Sequence, residues 1–479
     1  MLESREIRTV SLKPEQVIGE IERRISDVTF LGIPIDQTLQ DIRIALLEPN
    51  HQKLTVKHRA EGFLRAVRAR FLPVDPFSGR TVRWKQDGVL IASISHRNYT
   101  TGIIPKISAQ IGRNECTVIA NAPKPSESAA AEWHAWSDAP KLDLRRWYLE
   151  VRGCSARWNR VLSEIRNDLQ IHPTLIESIR FALLAASQRV MRYGDLLDRL
   201  RPGSVLVDYD RNARAASLVL PARSRSIPTA TLVHGEVHYP LFYTPLLADE
   251  VFCWGEEQKQ WFLDNGTAGD RIRITGFPRI EEPSEAMRDG LRTRGQISPG
   301  DLVVMFASNP IDRPARMQNI RIFCEASEAV SGFRSIIRLH PSETLMEMKT
   351  LMDSFPHVQF TSNTDMSATE ALTFADIVVA HSSGFAGEAL AMGRTVVILD
   401  ATDISIGPME TLVRHAGVPI AHSTDELRAM LIRIRDDEEF RAGTRANALG
   451  FIRRKYASIG EASCRMIADG LRQCVVHDR

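Results

Sequence analysis

The chain has 479 residues, of which 43% are hydrophobic and 25% charged, a composition typical of globular proteins with two or three domains. Its 61 basic and 59 acidic residues leave a net charge of +2, which gives no reason to expect nucleic acid as a partner. The sequence has no apolar run of about 18 residues, no apolar leader and no CxxC spacing. We therefore expect a cytoplasmic protein with reduced thiols.

Residues 1–80 are predicted to form a helical extension without a chemical motif, because charged and helix-favouring residues dominate, above all at 15–26 and 37–47. A first α/β domain is predicted at 81–290, where apolar runs alternate with helical segments. Its strands are predicted at 89–94, 116–119, 205–207, 229–233 and 271–275. Its helices are predicted at 103–111, at 157–201 with an interruption near 172–173, and at 213–223. Residues 122–139 are predicted to form a long loop.

A second α/β domain is predicted at 300–479, after a charged, turn-rich linker at 281–299. Its strands are predicted at 302–307, 335–339, 358–360, 377–380, 395–399 and 418–420. Helices from 425 to about 470 are predicted to complete it. The expected fold is thus α/β, with two Rossmann-like domains that face each other across a cleft and a helical N-terminal extension.

A phosphate site is predicted in segment 376–400, which has the pattern of a βαβ unit. Its first strand leads into a polar turn at a helix N-terminus, where backbone N–H groups, two hydroxyls and the helix dipole suit an anion. The turn consists of His381, Ser382, Ser383 and Gly384. Glu388, one helical turn further on, could accept hydrogen bonds from both hydroxyls of a ribose. The alternative is an ordinary βαβ turn with an N-cap serine.

Two more polar turns follow strands of the same predicted sheet. They consist of Ser308 and Asn309, and of Arg338, Leu339, His340 and Pro341. Because the carboxyl ends of parallel strands share one edge, we predict that all three turns bind one nucleotide. Arg338 and His340 would face its phosphates. Taken singly, the histidine could be structural, and Arg338 could pair with a neighbouring carboxylate.

Candidate catalytic residues end two strands of the first domain. His234 could act as a base because its imidazole titrates near neutrality, and Glu236 or Asp208 could assist or orient it. Asp210 lies beside Asp208. The alternative for His234 is a strand-end histidine hydrogen-bonded to backbone.

The loop at 95–102 also follows a strand of this domain and is the predicted acceptor site. A solvated loop is the alternative. The acceptor-binding candidates are His96, Arg97 and Tyr99.

Four short motifs resemble those of known transferases. RLHP (338–341) and HSSG (381–384) resemble the His-Pro and Ser-Ser motifs of bacterial sialyltransferases, capsule Kdo transferases and CDP-glycerol glycerophosphotransferases. In those families both motifs contact a cytidine nucleotide. LVHGEV (232–237) resembles the His-Gly motif of the glycerophosphotransferases, whose histidine is a proposed base. GFAGEALAMG (384–393) is similar to the wider GT-B pattern with a ribose-binding glutamate.

The resemblance covers residues 200–400 and implies a GT-B glycosyltransferase of bacterial surface-polysaccharide or capsule biosynthesis. It would move a sugar or polyol phosphate from a CMP- or CDP-linked donor to a glycan or lipid-linked acceptor, with UDP and GDP donors left open. The chain lacks the acidic base motif of the sialyltransferases, so the base and the donor sugar stay open.

Several further expectations concern partners and mechanism. Direct attack would invert the anomeric centre, and cationic groups at the phosphates would make a metal unnecessary, so no cofactor is expected. The basic run at 453–455 could touch an anionic membrane surface, although a solvated helix face explains it equally well. The alternatives are a non-hydrolysing sugar-nucleotide epimerase and a non-catalytic scaffold for polysaccharide assembly. The sequence does not specify the oligomeric state.

Overall fold

The structure is a computed structural model. It describes residues 14–26, 28–35, 88–93, 102–112, 115–120, 131–136, 139–169, 171 and 173–476, except 234, 236, 238–239, 281–283, 299, 310–311, 329, 363 and 408. The N-terminal elements are α1 (Pro14–Ile25), β1 (Thr29–Phe30) and β2 (Ile33–Pro34). The predicted helix at 15–26 is therefore confirmed, and the one at 37–47 lies outside the described residues.

The first sheet has seven parallel strands in the order β5-β4-β3-β6-β7-β8-β9. They are β3 (Val89–Ser93), β4 (Cys116–Ala120), β5 (Glu132–Ala135), β6 (Ser204–Val207), β7 (Thr229–Leu232), β8 (Glu250–Cys253) and β9 (Ile272–Ile274). Its helices are α2 (Ile104–Ile111), α3 (Leu144–Asp168), α4 (Pro173–Leu200), α5 (Ala213–Arg223), α6 (Pro240–Tyr243) and α7 (Glu256–Asp264). A 3-10 turn, Gly269–Arg271, precedes β9. The buried residues of α1, β1 and β2 form one core with α3 and α4.

The second sheet has six parallel strands in the order β12-β11-β10-β13-β14-β15. They are β10 (Leu302–Ala307), β11 (Phe333–Arg338), β12 (Val358–Thr361), β13 (Ile377–Ala380), β14 (Thr395–Leu399) and β15 (Ile420–Ala421). The helices from residue 285 on are α8 (Glu285–Arg294), α9 (Arg313–Glu328), α10 (Lys349–Ser354), α11 (Ala368–Phe374), α12 (Phe385–Ala391), α13 (Met409–Ala416), α14 (Thr424–Asp436), α15 (Glu438–Lys455) and α16 (Gly460–Val476). A 3-10 turn, Leu345–Met348, precedes α10. The predicted fold class, two Rossmann-like α/β domains, is confirmed.

Several elements differ from the sequence prediction. The expected loop at 122–139 contains β5, a half-buried edge strand that pairs with β4 and has no apolar run to reveal it. The expected linker at 281–299 contains α8, a polar helix in which Leu291 is the buried residue. Both Arg288 and Arg292 of α8 pair with the buried Asp376, so this helix is fastened to the second sheet. Helix α13 was not predicted.

The chain crosses between the two sheets twice, and the crossings lie side by side. The Phe277 N–H donates to the Ser458 carbonyl (2.7 Å), and the Phe277 ring stacks on Tyr456 at 5.2 Å. Beyond this point α16 returns to the first domain, where Cys464, Ile467 and Leu471 join the core of that sheet. The sequence analysis had grouped this helix with the second domain. No helix in the described part of the chain combines the length and apolar character needed to cross a bilayer.

Replacing Gly276 with alanine should destabilise this junction. Gly276 has a φ of +83, and a Cβ there would lie 2.3 Å from the Ser458 carbonyl oxygen. Because both the backbone conformation and the space require glycine, we expect a loss of about 2 to 3 kcal/mol. Thermal unfolding would measure it, with Gly443→Ala as the control, since a Cβ at this helical position meets nothing within 4 Å. An unchanged melting temperature for Gly276→Ala would contradict the packing described.

Candidate functional site

The Ser-Ser turn lies at the carboxyl edge of the second sheet, between β13 and α12. Ser382 and Ser383 are partly exposed and Gly384 is exposed, so the turn is open to solvent. Asn309, at the end of β10, is buried and its Nδ2 donates to the Ser382 carbonyl oxygen (2.8 Å). The turns after β10 and β13 are therefore joined, as the sequence predicted. Asn309 supports the Ser-Ser turn instead of presenting its amide to solvent.

Glu343, which was not predicted as a site residue, joins the turn after β10 to the turn after β11. Its carboxylate accepts hydrogen bonds from Ser308 Oγ (2.9 Å) and the His340 N–H (2.6 Å), and lies 3.1 Å from Arg316 Nε. Burial raises the pKa of Glu343, and the hydrogen bonds from His340 and Ser308 oppose that shift. Ser308 is thus a buried support of the site. The sequence does place an acidic residue three positions after His340, and this spacing could have indicated the contact.

His340 lies at the end of the strand that carries Arg338, and its side chain is part-exposed. The Ser342 N–H donates to His340 Nδ1 (3.2 Å), which leaves the proton of the neutral ring on Nε2. Burial lowers the pKa of His340, and the positive charges of Arg338 and Arg316 lower it further. His340 is therefore a neutral hydrogen-bond donor near pH 7 rather than a cation. Pro341 beside it is exposed.

The expectation that the His381 side chain contacts the donor is wrong. His381 is fully buried, and its Nε2 lies 2.9 Å from the Ile404 carbonyl oxygen, to which it donates. Burial lowers the pKa of His381, so the ring is neutral. The hydrogen bond from this side chain connects the start of the Ser-Ser turn to the loop that follows β14. A motif shows that a histidine is present but not which way its ring points.

Arg338 and Glu388 lie close together, and both are buried. The Arg338 guanidinium lies over the Phe385 ring, 5.3 Å from its centroid. Burial lowers the pKa of Arg338; the Glu388 carboxylate opposes this shift and Arg279 adds to it. Arg279, which was not predicted, reaches Glu388 from the first crossing, with Nη1 3.6 Å from Oε1.

Among the described residues, three guanidinium groups and two carboxylates are linked at this edge by ion pairs and charge interactions. They are Arg279, Arg316, Arg338, Glu343 and Glu388. Helix α12 has seven residues, so its dipole adds little, and the arginines supply most of the positive charge. Guanidinium groups beside a solvent-open turn favour an anionic ligand such as a phosphate.

At the first sheet, the backbone is anchored on both sides of position 234. The Val233 carbonyl accepts from Trp254 Nε1 (3.0 Å), and the Gly235 carbonyl accepts from Gln258 Nε2 (3.3 Å). Val233 and Trp254 belong to one hydrophobic cluster with Phe277 and Phe385, which spans both sheets. The two domains therefore share one hydrophobic core at their junction.

Five of the predicted site residues lie outside the described residues, namely His234, Glu236, His96, Arg97 and Tyr99. Asp208 is described and fully buried, where it accepts a hydrogen bond from Ser93 Oγ (3.1 Å). This contact holds two adjacent strands, β3 and β6, together at their ends. The roles predicted for these six residues stay predictions.

Asp210 should make stability depend on pH. Its Oδ2 accepts from the N–H groups of Leu247 (2.7 Å) and Ala248 (3.0 Å), and burial raises its pKa from 3.8 to about 6. The folded state therefore retains a proton that the unfolded chain loses, and this contribution, up to about 3 kcal/mol, is present below pH 3.8 and lost as the pH rises through about 6. The melting temperature of Asp210→Asn minus that of wild type should therefore increase as the pH is raised from about 4 to about 6. A difference that does not change with pH would contradict this.

Comparisons with known proteins show the fold. No protein-family model matches the chain, and no curated protein matches its sequence. A putative UDP-N-acetylglucosamine 2-epimerase from Listeria monocytogenes is 12% identical, with a TM-score of 0.53 over 82% of this chain and 98% of that one. The UDP-GlcNAc 2-epimerase from Methanocaldococcus jannaschii is 13% identical, with a TM-score of 0.51 over 81% and 100%. The chain thus has the two-domain fold of the GT-B type.

Proposed function

We propose that the protein is a glycosyltransferase that takes a sugar or polyol phosphate from a nucleotide donor held by the second domain. The observation that carries the proposal is the solvent-open Ser-Ser turn beside two arginines, Arg279 and Arg338, and the buried carboxylate of Glu388. A nucleotide offers the complementary groups. Its phosphates suit the guanidinium groups and turn hydroxyls, and its ribose hydroxyls suit the carboxylate.

The acceptor hydroxyl would be deprotonated by His234 at the facing edge of the first sheet. The carbonyls of its neighbours Val233 and Gly235 accept hydrogen bonds from Trp254 and Gln258. Direct attack by the activated hydroxyl would invert the anomeric centre. With arginines available for the leaving phosphate, we expect turnover to be insensitive to EDTA.

The resemblance of the His-Pro and Ser-Ser motifs to sialyl, Kdo and glycerol-phosphate transferases favours a cytidine nucleotide. The acceptor would then be a glycan or lipid-linked saccharide. Membrane attachment could involve Arg453 and Arg454, which are exposed, whereas Lys455 is buried against Phe451 and Tyr456.

A sugar-nucleotide epimerase is the second candidate, because the two structures with TM-scores of 0.51 and 0.53 are of UDP-GlcNAc 2-epimerases. Such an enzyme acts on one UDP-sugar and needs no acceptor. Incubation of the protein with UDP-GlcNAc alone separates the two candidates. Isomerisation of the sugar would replace the transferase proposal with the epimerase. A scaffold would bind nucleotide, or none, without any turnover.

The first experiment is a thermal-shift panel of CMP, CDP, UDP and GDP. A ligand that binds the native state at about 100 times its Kd stabilises it by about 2.7 kcal/mol, so the preferred base would appear as the largest rise in Tm. We expect CMP or CDP to give that rise. If no nucleotide raises Tm at millimolar concentration, the proposed function is wrong.

A further inference from the structure

Arg279 links the candidate donor site to the junction between the two sheets. It follows Phe277 by two residues, and the Phe277 ring is held between Trp254 (4.2 Å between centroids) and Tyr456 (5.2 Å). From there its guanidinium reaches Glu388 of α12. The distance of 3.6 Å between Nη1 and Oε1 is longer than that of a good charged hydrogen bond.

The exposures of the two partners differ in a way that matters for ligand binding. The Arg279 side chain is 33% exposed, whereas the Glu388 side chain is 8% exposed. The pair is thus long and partly hydrated at the arginine end, and such pairs are weak because solvent screens them. An incoming anion can therefore draw Arg279 away from the carboxylate at little cost.

The charge balance points to the same exchange. The Glu388 carboxylate faces two guanidinium groups, those of Arg279 and Arg338. The repulsion between these cations contributes to the lowered pKa of Arg338. A phosphate between the two arginines would remove this repulsion, since each guanidinium can donate two parallel hydrogen bonds to it.

We propose that Arg279 is a phosphate-binding residue that pairs with Glu388 in the empty protein and turns to the nucleotide's phosphate when the ribose hydroxyls reach Glu388. The inference rests on the proposed function and adds a residue from the interdomain crossing to the donor site. Donor binding would then form a contact between the crossing and the second domain that the empty protein makes only weakly.

Calorimetric titration with CDP and with cytidine tests the exchange on wild type and Arg279→Gln, and UDP and uridine are titrated in parallel. Arg279→Gln should weaken the binding of CDP by about ten- to a hundredfold. It should weaken the binding of cytidine by no more than about twofold, because cytidine lacks the phosphates. Arg279→Lys keeps the charge but loses the two parallel hydrogen bonds of the guanidinium group. Its affinity for CDP should therefore lie between those of wild type and Arg279→Gln. It serves as the second variant if the glutamine variant does not fold.

Arg273→Gln is the matched control. Arg273 is also 33% exposed and pairs with a glutamate, Glu250 at 2.8 Å, but on β9 away from the Ser-Ser turn. It should leave both affinities unchanged. Equal CDP affinity for wild type and Arg279→Gln would overturn the inference alone. An equal loss for CDP and cytidine would also overturn it, because Arg279 would then act only by positioning Glu388. If wild type binds no nucleotide, the proposed function falls as well.

Discussion

Replacing His234 with alanine should lower kcat by about 10²- to 10⁴-fold, the usual contribution of a general base. The nucleotide would still bind, because the groups proposed to hold it belong to the second domain and the crossing. Release of nucleotide from a donor that carries the base preferred in the thermal-shift panel measures kcat, and calorimetry measures the donor affinity. A fall in kcat with an unchanged donor Kd is the expected result.

The control for this variant is His415→Ala, an exposed histidine on α13 of the second domain. It should leave kcat and Kd unchanged. A loss of donor affinity in His234→Ala that matches the loss of kcat would assign His234 to binding. An unchanged kcat would show that His234 is not the general base, and the base would then be another residue of the first domain.

Strands buried on both faces were predictable from the sequence almost residue for residue. The runs at 302–307, 377–380 and 395–399 match β10, β13 and β14 because a parallel strand buried on both faces is largely apolar. Elements that bury one side chain or none in the core have no such signature. This is why α8, with Leu291 as its buried residue, was predicted to be a linker.

The candidate site was predictable at the level of turns and not at the level of contacts. Carboxyl ends of parallel strands must share an edge, so the meeting of the Ser-Ser turn with Asn309 followed from the strand pattern. Which side chains face solvent depends on packing between distant segments. His381 turns inward to Ile404, 23 residues away. Arg279 meets Glu388 from another domain, and no local pattern encodes that pairing.

Replacing Arg338 with glutamine should weaken CDP binding by about a hundredfold or more, since a buried charged donor to a phosphate is lost. The effect should exceed that of Arg279→Gln because Arg338 is more deeply buried, 8% exposed as a residue, and its charge is less screened by water. Its loss also leaves Glu388 with one facing arginine instead of two, which lowers the positive charge beside the turn by one.

The matched control is Arg334→Gln on the same strand, β11, because Arg334 is exposed and its Nη2 donates to Gln359 Oε1 (3.2 Å) far from the turn. Calorimetry with CDP at several salt concentrations measures the effect. Wild type should lose affinity with rising salt more steeply than Arg338→Gln does, since one cation fewer faces the phosphates. If Arg338→Gln binds CDP as tightly as Arg334→Gln, the guanidinium over Phe385 serves packing alone. The phosphate must then be bound elsewhere than beside the Ser-Ser turn.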